Sequence, residues 1–107
     1  MAKRKLSARA ERRVHERAAE KSARDRERLA RIEEGGSPER PFLLESASQI
    51  EPHALAASCL RCDGPNRLEE HAAETVNGQR LRVVRMTCAR CGSKRMMWFR
   101  LAPKLPS

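Results

Sequence analysis

The chain holds four cysteines, and they stand in two brackets of one form: Cys59-Leu60-Arg61-Cys62 and Cys88-Ala89-Arg90-Cys91. A C-x-x-C bracket places two thiolates on one tight turn. Two brackets supply the four sulfurs of a closed tetrahedral Zn²⁺ site, with each sulfur about 2.3 Å from the metal. The competing uses are dithiol redox chemistry, disulfide formation and inert thiols. The matched pairing argues against inert thiols, and no surrounding βαβ pattern supports a thioredoxin-like redox unit. One Zn²⁺ per chain, held by Cys59, Cys62, Cys88 and Cys91, is therefore expected. Four thiolates leave no open position on the metal, so such a site does not activate water.

The 25 residues between the brackets exceed the usual spacer of about 15–20 for such a site, and the fold must account for the excess. Asn77-Gly78 lies near the middle of the spacer. That dipeptide is a strong hairpin signal, because both central residues of a type I′ turn take positive φ. Leu68–Val76 precedes it, and Gln79–Thr87 follows with partial alternation and β-branched residues. A two-residue loop there sets Val76 opposite Gln79 and Glu70 opposite Arg85, the latter a cross-strand ion pair. A third apolar run, Met96–Leu101, follows the second bracket. Within it Met97, Phe99 and Leu101 share one side, the expected core, while Trp98 and Arg100 share the other. Each bracket continues into turn chemistry, Asp63-Gly64-Pro65 and Gly92-Ser93.

The order is knuckle, strand, turn, strand, knuckle, strand, and in this it resembles the zinc-ribbon family over residues 57–102. The resemblance implies a scaffold rather than one activity. Zinc ribbons recur in ribosomal proteins and transcription factors, and also as protein-interaction modules of larger assemblies. A likeness to bacterial secondary-channel transcription factors is weaker, since those join their zinc finger to a helical hairpin with an acidic tip. The fold expected is small α+β: a C-terminal three-stranded antiparallel zinc ribbon preceded by a long charged N-terminal helix.

Residues 1–34 are read as a basic arm and that helix. Gly and Pro are absent from the helical stretch beginning at residue 7, and Ala, Arg, Glu and Lys dominate it. Ser7 is the expected N-cap, and Gly35-Gly36 with Pro38 the stop. Four pairs, Arg12–Glu16, Glu20–Arg24, Lys21–Asp25 and Glu27–Arg31, suit i,i+4 attraction. The best apolar seam, Val14, Ala18, Ser22, Asp25, Leu29 and Ile32, is interrupted by polar residues, which makes a poor coiled coil. Residues 35–56 are read as a linker with its hinge at Gly35–Pro38. Phe42, Leu43 and Leu44 within it either cover a face of the ribbon or dock another protein, and Pro52–Ser58 suits one helical turn. Residues 103–107 form a tail. His53 is held as a reserve ligand, His71 as a strand residue, and His15 has no pattern around it.

Composition bounds the function. The chain has 107 residues, 23 Lys and Arg against 14 Asp and Glu, and a net charge of +9. Such a balance points to a polyanionic partner, nucleic acid or a ribonucleoprotein, or to an acidic protein. Only 3% of residues are aromatic, so a ribbon of about 45 residues needs metal ligation to offset its chain entropy. Neither a secretory signal nor a transmembrane stretch is visible, and a reducing cytoplasmic location, nuclear in a eukaryote, is expected. No catalytic constellation is present, and a non-enzymatic role is expected. The candidate nucleic-acid contacts are Lys3, Arg4, Lys5, Arg9, Arg12 and Arg13 in the arm, and Arg80, Arg82, Arg90, Lys94 and Arg95 in the ribbon. Trp98 either joins them as an exposed stacking platform or belongs to the core, the commoner place for tryptophan in so small a domain. The alternative is a zinc-ribbon module that binds another protein.

Overall fold

The computed structural model describes residues 7–102. The elements run α1 (Ala8–Ile32), β1 (Phe42–Leu44), a 3-10 turn (Ala47–Gln49), α2 (Ile50–Leu55), β2 (Asn66–Val76), β3 (Gln79–Cys88) and β4 (Lys94–Leu101). No helix among the described residues is long and apolar enough to cross a membrane.

The hairpin forms where the Asn-Gly signal puts it. Asn77 and Gly78 take φ of 51° and 79°, and the register sets Val76 against Gln79 and Glu70 against Arg85. Arg85 reaches both Glu70 (3.0 Å) and Glu74 (3.1 Å). A bulge between Leu68 and Glu70 then shifts the pairing by one, so that Asn66 lies opposite Cys88. A one-residue shift exchanges the faces of a strand. Asn66 is thereby buried, and its Nδ2 donates to the Ala57 carbonyl (2.9 Å), tying the start of β2 to the segment that follows α2.

The sheet is four-stranded and mixed, in the order β1-β4-β3-β2. The expected three antiparallel strands are corrected by β1, which runs parallel to β4 with Phe42 against Phe99 and Leu44 against Leu101. Three residues are too few to show a period, which is why this strand reads as linker. The stretch 35–56 also contains α2, which begins at Ile50, two residues before the proline taken as its start.

Central strands bury both faces, and β3 does so here. Toward α2, Val84 and Met86 pack with Ile50, Ala54, Met97 and Phe99, flanked by Phe42, Leu44, Ala57 and Leu101. On the other face Leu81, Val83 and Trp98 form a second cluster with Ala72 and Val76. The alternation along β4 is as the sequence implies. Of the two places open to Trp98, the core is the one taken: only 8% of it meets solvent, because the ring covers Leu81 and Val83. That corrects the stacking platform. His53 stacks on Phe42 at 4.2 Å and meets Phe99 edge-on at 5.8 Å, in the apolar core rather than among the sulfurs.

Ser7 caps α1, its hydroxyl accepting from the Ala10 N–H (3.2 Å). The expected hinge after the helix is fixed in place. Gly35 takes φ 84°, its N–H donates to the Arg40 carbonyl (2.7 Å), and its own carbonyl accepts from the Trp98 N–H (2.8 Å). The Arg40 guanidinium donates to the Ile32 carbonyl at the helix end (2.6 Å).

Candidate metal centre

The two brackets fold as copies of one knuckle. In the first, the Asp63 N–H donates to the Cys59 carbonyl (3.0 Å) and the Cys59 N–H to the Gly64 carbonyl (2.9 Å). In the second, the Gly92 N–H donates to the Cys88 carbonyl (3.0 Å) and the Cys88 N–H to the Ser93 carbonyl (2.8 Å). Both turns require a left-handed residue directly after the bracket, Asp63 at φ 61° and Gly92 at φ 78°. Asp tolerates that region better than most residues. The knuckles are sewn together by Ala89 N–H to the Pro65 carbonyl (2.8 Å) and by the Arg90 guanidinium to the Cys62 carbonyl (3.4 Å).

Hairpin closure makes the spacer length immaterial. β2 leaves the first knuckle, β3 returns to the second, and all four sulfurs lie within 4.8 Å of one another. Cys59 and Cys91 Sγ are 3.6 Å apart, and Cys62 and Cys88 Sγ 3.4 Å. A cation about 2.3 Å from four tetrahedral sulfurs sets them about 3.8 Å apart, and these two pairs lie within a few tenths of an ångström of that spacing. The four cysteines are positioned to coordinate a metal ion.

Two further features fit that reading. Backbone N–H groups aim at sulfur: Arg61 N–H at Cys59 (3.3 Å), and the Arg90 and Cys91 N–H groups at Cys88 (3.3 and 3.4 Å). Such donors stabilise thiolate over thiol and orient it for a cation. The second feature is the fit around Gly64. A Cβ there would stand 3.0 Å from Cys88 Sγ and 3.1 Å from Cys62 Sγ, so the backbone lies directly against the sulfurs.

The sulfurs are electrostatically unequal. Cys91 is pulled down to about 6 by the Ser93 hydroxyl and then the Ser93 N–H, both of which favour its thiolate. Cys88 is lowered too, by the Cys91 N–H first, then, against burial, by the Arg90 N–H. At Cys62 the Gly64 N–H favours the thiolate, but burial and the three neighbouring sulfurs outweigh it and push the thiol up to about 12. A bound cation removes the competition by charging all four.

The first knuckle also holds α1. The Arg26 guanidinium donates to the carbonyls of Leu60 (2.6 Å) and Arg61 (3.2 Å), both inside the bracket. In return Arg61 reaches back to Glu27 (2.6 Å) and Glu20 (3.4 Å) on the helix. Glu27, then Glu20, hold the Arg61 guanidinium above its ordinary range. Ala23, between the two acids on that face, is buried. None of the four expected i,i+4 ion pairs forms among the described residues. Glu20 and Glu27 turn to Arg61 instead, which offers both of them one tertiary cation. Arg26, Arg61, Glu20, Glu27, Gly64 and Ser93 are thus parts of the site that sequence reading passed over. The visible signal was two acids seven residues apart around an alanine, and an arginine inside the bracket.

The expected nucleic-acid contacts do not converge on one patch. Lys3, Arg4 and Lys5 lie outside the described residues. Arg9, Arg12 and Arg13 are exposed on the first turns of α1. Arg80 and Arg82 stand near the hairpin end of β3, where Arg80 is about 27 Å of strand from Cys88. Arg90, Lys94 and Arg95 stand at the knuckle end. Arg95 is committed inward: it donates to the Ser58 carbonyl (3.0 Å), and burial lowers its basicity. Of Phe42, Leu43 and Leu44, only Leu43 is exposed.

Comparison of the chain with protein families, with curated proteins and with solved structures finds no match.

Proposed function

We propose that the chain is a non-enzymatic zinc-ribbon protein that binds nucleic acid or a ribonucleoprotein, in the cytoplasm or a nucleus. Zn²⁺ is the metal that best suits four thiolates at tetrahedral spacing, and it brings no redox chemistry of its own. With its shell filled by sulfur, the ion serves folding. The two knuckles, the hairpin and β4 make up the ribbon, and β1 is an added edge.

The observation that carries the binding role is uncompensated charge. Among the described residues, no carboxylate lies within 4.0 Å of any arginine or lysine except Arg61 and Arg85. Most of the described arginines and lysines are exposed as well. Surfaces of that kind draw polyanions and release counterions on contact.

The test is binding of short RNA and DNA by the zinc-loaded chain across a salt series. The expected result is affinity that falls linearly on a log–log plot, with a slope of about −0.7 to −0.9 per phosphate engaged. Absence of binding at low salt refutes the reading. A second reading, a module that binds an acidic protein, is favoured by the exposed Leu43, Met96 and Leu29. Purification with and without nuclease separates the two: a nuclease-resistant stoichiometric protein partner supports the second.

A further inference from the structure

Helix α1 has three faces. One carries Glu20, Ala23 and Glu27 and sits on the first knuckle. A second carries Val14, Leu29 and Ile32, all exposed. The charge on the third is of one sign only. At about 100° per residue, Arg13, Arg17, Lys21, Arg24, Arg28 and Arg31 fall within an arc of about 80°. The one other helical residue in that arc is Ala10, and no acid shares it. All six cations are exposed, and among the described residues none has a carboxylate partner.

The cations recur at intervals of four, four, three, four and three residues. Over 18 residues they draw a straight row about 27 Å long. The row is held rather than loose, since Arg26, Arg61 and Arg40 fix the C-terminal half of the helix to the domain. It stops at Arg31, where the crevice toward Lys94 is lined also by Glu27, Glu33 and Glu34.

We infer that this row is a docking surface for the phosphate backbone of a duplex nucleic acid, bound without regard to sequence. The inference rests on the nucleic-acid reading above and names the surface and the form of the ligand. A straight, one-sign row matches a stiff polyanion that carries one charge per about 1.7 Å of axis. Single strands are bound by basic grooves lined with aromatic platforms, and this chain presents none. It has no tyrosine, Trp98 and Phe99 are buried, and Phe42 is stacked on His53. Helix α1 has no Asn or Gln to read adenine, and a straight row of cations along one helix face suits phosphates, whose contacts position without specifying.

The experiment is fluorescence anisotropy with the full zinc-loaded chain. The probes are duplex RNA, duplex DNA and the matching single strands, each in two unrelated sequences, across a salt series. The variants are Arg17→Gln/Arg24→Gln/Arg28→Gln, the same three positions to Lys, and Arg80→Gln/Arg82→Gln. The expected result is duplex affinity above single-strand affinity and equal for both sequences, with the RNA and DNA arms showing which duplex is preferred. The triple glutamine variant should bind on the order of tenfold or more weakly, with its salt slope reduced by about two to three. The lysine variant should keep the wild-type slope, which assigns the loss to charge rather than to helix damage. A wild-type slope in the triple glutamine variant overturns the inference. So does single-strand binding as tight as duplex. If Arg80→Gln/Arg82→Gln loses binding while the helix variant keeps it, the row is wrong and the nucleic-acid reading stands. If the wild-type chain binds no nucleic acid at low salt, both fall.

Discussion

Gly64→Ala puts one methyl group against the metal centre. The added carbon would stand 3.0 Å from Cys88 Sγ, 3.1 Å from Cys62 Sγ and 3.0 Å from Arg90 Cβ. Comfortable non-bonded separations are about 3.5–4.0 Å, so three contacts are short by roughly half an ångström. The arginine Cβ is held in place by the backbone of the second knuckle and does not swing aside. The sulfurs would retreat only by leaving the positions from which four of them can hold one ion. Overpacking of this kind costs about 1–3 kcal/mol. Since metal ligation and folding of the knuckles are one equilibrium, that cost appears as a loss of about 5- to 150-fold in Zn²⁺ affinity. Gly78→Ala is the matched control. Its Cβ would meet nothing within 4 Å, but its φ of 79° is strained for an L-residue. It should cost about 1–2 kcal/mol of backbone strain at the far end of the hairpin. Competition with a chromophoric chelator measures affinity, and the visible absorption of the Co²⁺-substituted protein reports coordination geometry. Gly64→Ala should lose affinity and change the Co²⁺ spectrum, whereas Gly78→Ala should lose stability and keep the spectrum. A Gly64→Ala protein with wild-type affinity and an unchanged Co²⁺ spectrum would show that the sulfurs do not close on metal in this arrangement.

Arg61→Ala removes the partner of both Glu20 and Glu27 while leaving four cysteines in place; metal content should hold at one Zn²⁺ per chain, while amide exchange in the C-terminal half of α1 accelerates. Phe99→Ala empties the centre of the larger core, where Phe99 is fully buried, and should cost about 3–5 kcal/mol, read by thermal unfolding of the zinc-loaded protein. Acid releases the metal by protonating sulfur. In the metal-free fold Ser93 depresses Cys91 from 9.0 to about 6, so the stability this thiolate lends there is full above its unfolded value and lost as pH falls through about 6, and a bound cation, which competes with the proton, carries that loss to lower pH. Ser93→Ala raises the proton affinity of Cys91 and should move the pH of half-release upward, followed by chelator trapping of released Zn²⁺.

What was legible in the sequence was short-range. A C-x-x-C turn and an Asn-Gly loop are each determined by residues within a few positions of one another, and both formed with the register they imply. The clustering of four cysteines then followed, since a hairpin brings the ends of a 25-residue spacer together. What was not legible was long-range or depended on competition. β1 pairs Phe42 with Phe99, and three apolar residues in a polar stretch carry no period to announce it. Gly35-Gly36 has the composition of a hinge, yet Gly35 is needed for its positive φ, and its hydrogen bonds lock the junction. For Trp98 the alternation was right, while the choice between platform and core stayed open. Alternation tells which residues share a face, not whether that face covers itself, and the Trp98 ring does so. The helix was legible as a helix, while its ion pairs were not. The same acids could meet cations four residues away or a single arginine 34 or more residues away, and local sequence does not rank the two.

The polar ties between α1 and the first knuckle make the metal centre more than a staple for the ribbon. Arg26 binds carbonyls of Leu60 and Arg61, whose positions exist because Cys59 and Cys62 turn around a common point. Arg61 projects to the helix from within the same turn. Without metal, a bracket loses the constraint that holds those carbonyls side by side, and the bidentate grip of Arg26 loses its geometry. The helix would keep its N-cap and its own backbone bonds, and so remain helical, but its direction relative to the sheet would no longer be set. If the row docks on phosphates as proposed, a freely pivoting helix pays orientation entropy on docking that a fixed one does not. Metal loading should therefore raise affinity for a duplex without touching any of the six cations. The comparison is Cys62→Ser with the wild-type chain: circular dichroism should show α1 retained while duplex affinity falls. Equal affinity in the two proteins would mean that α1 binds as an independent rod and that its docking on the knuckle serves stability alone.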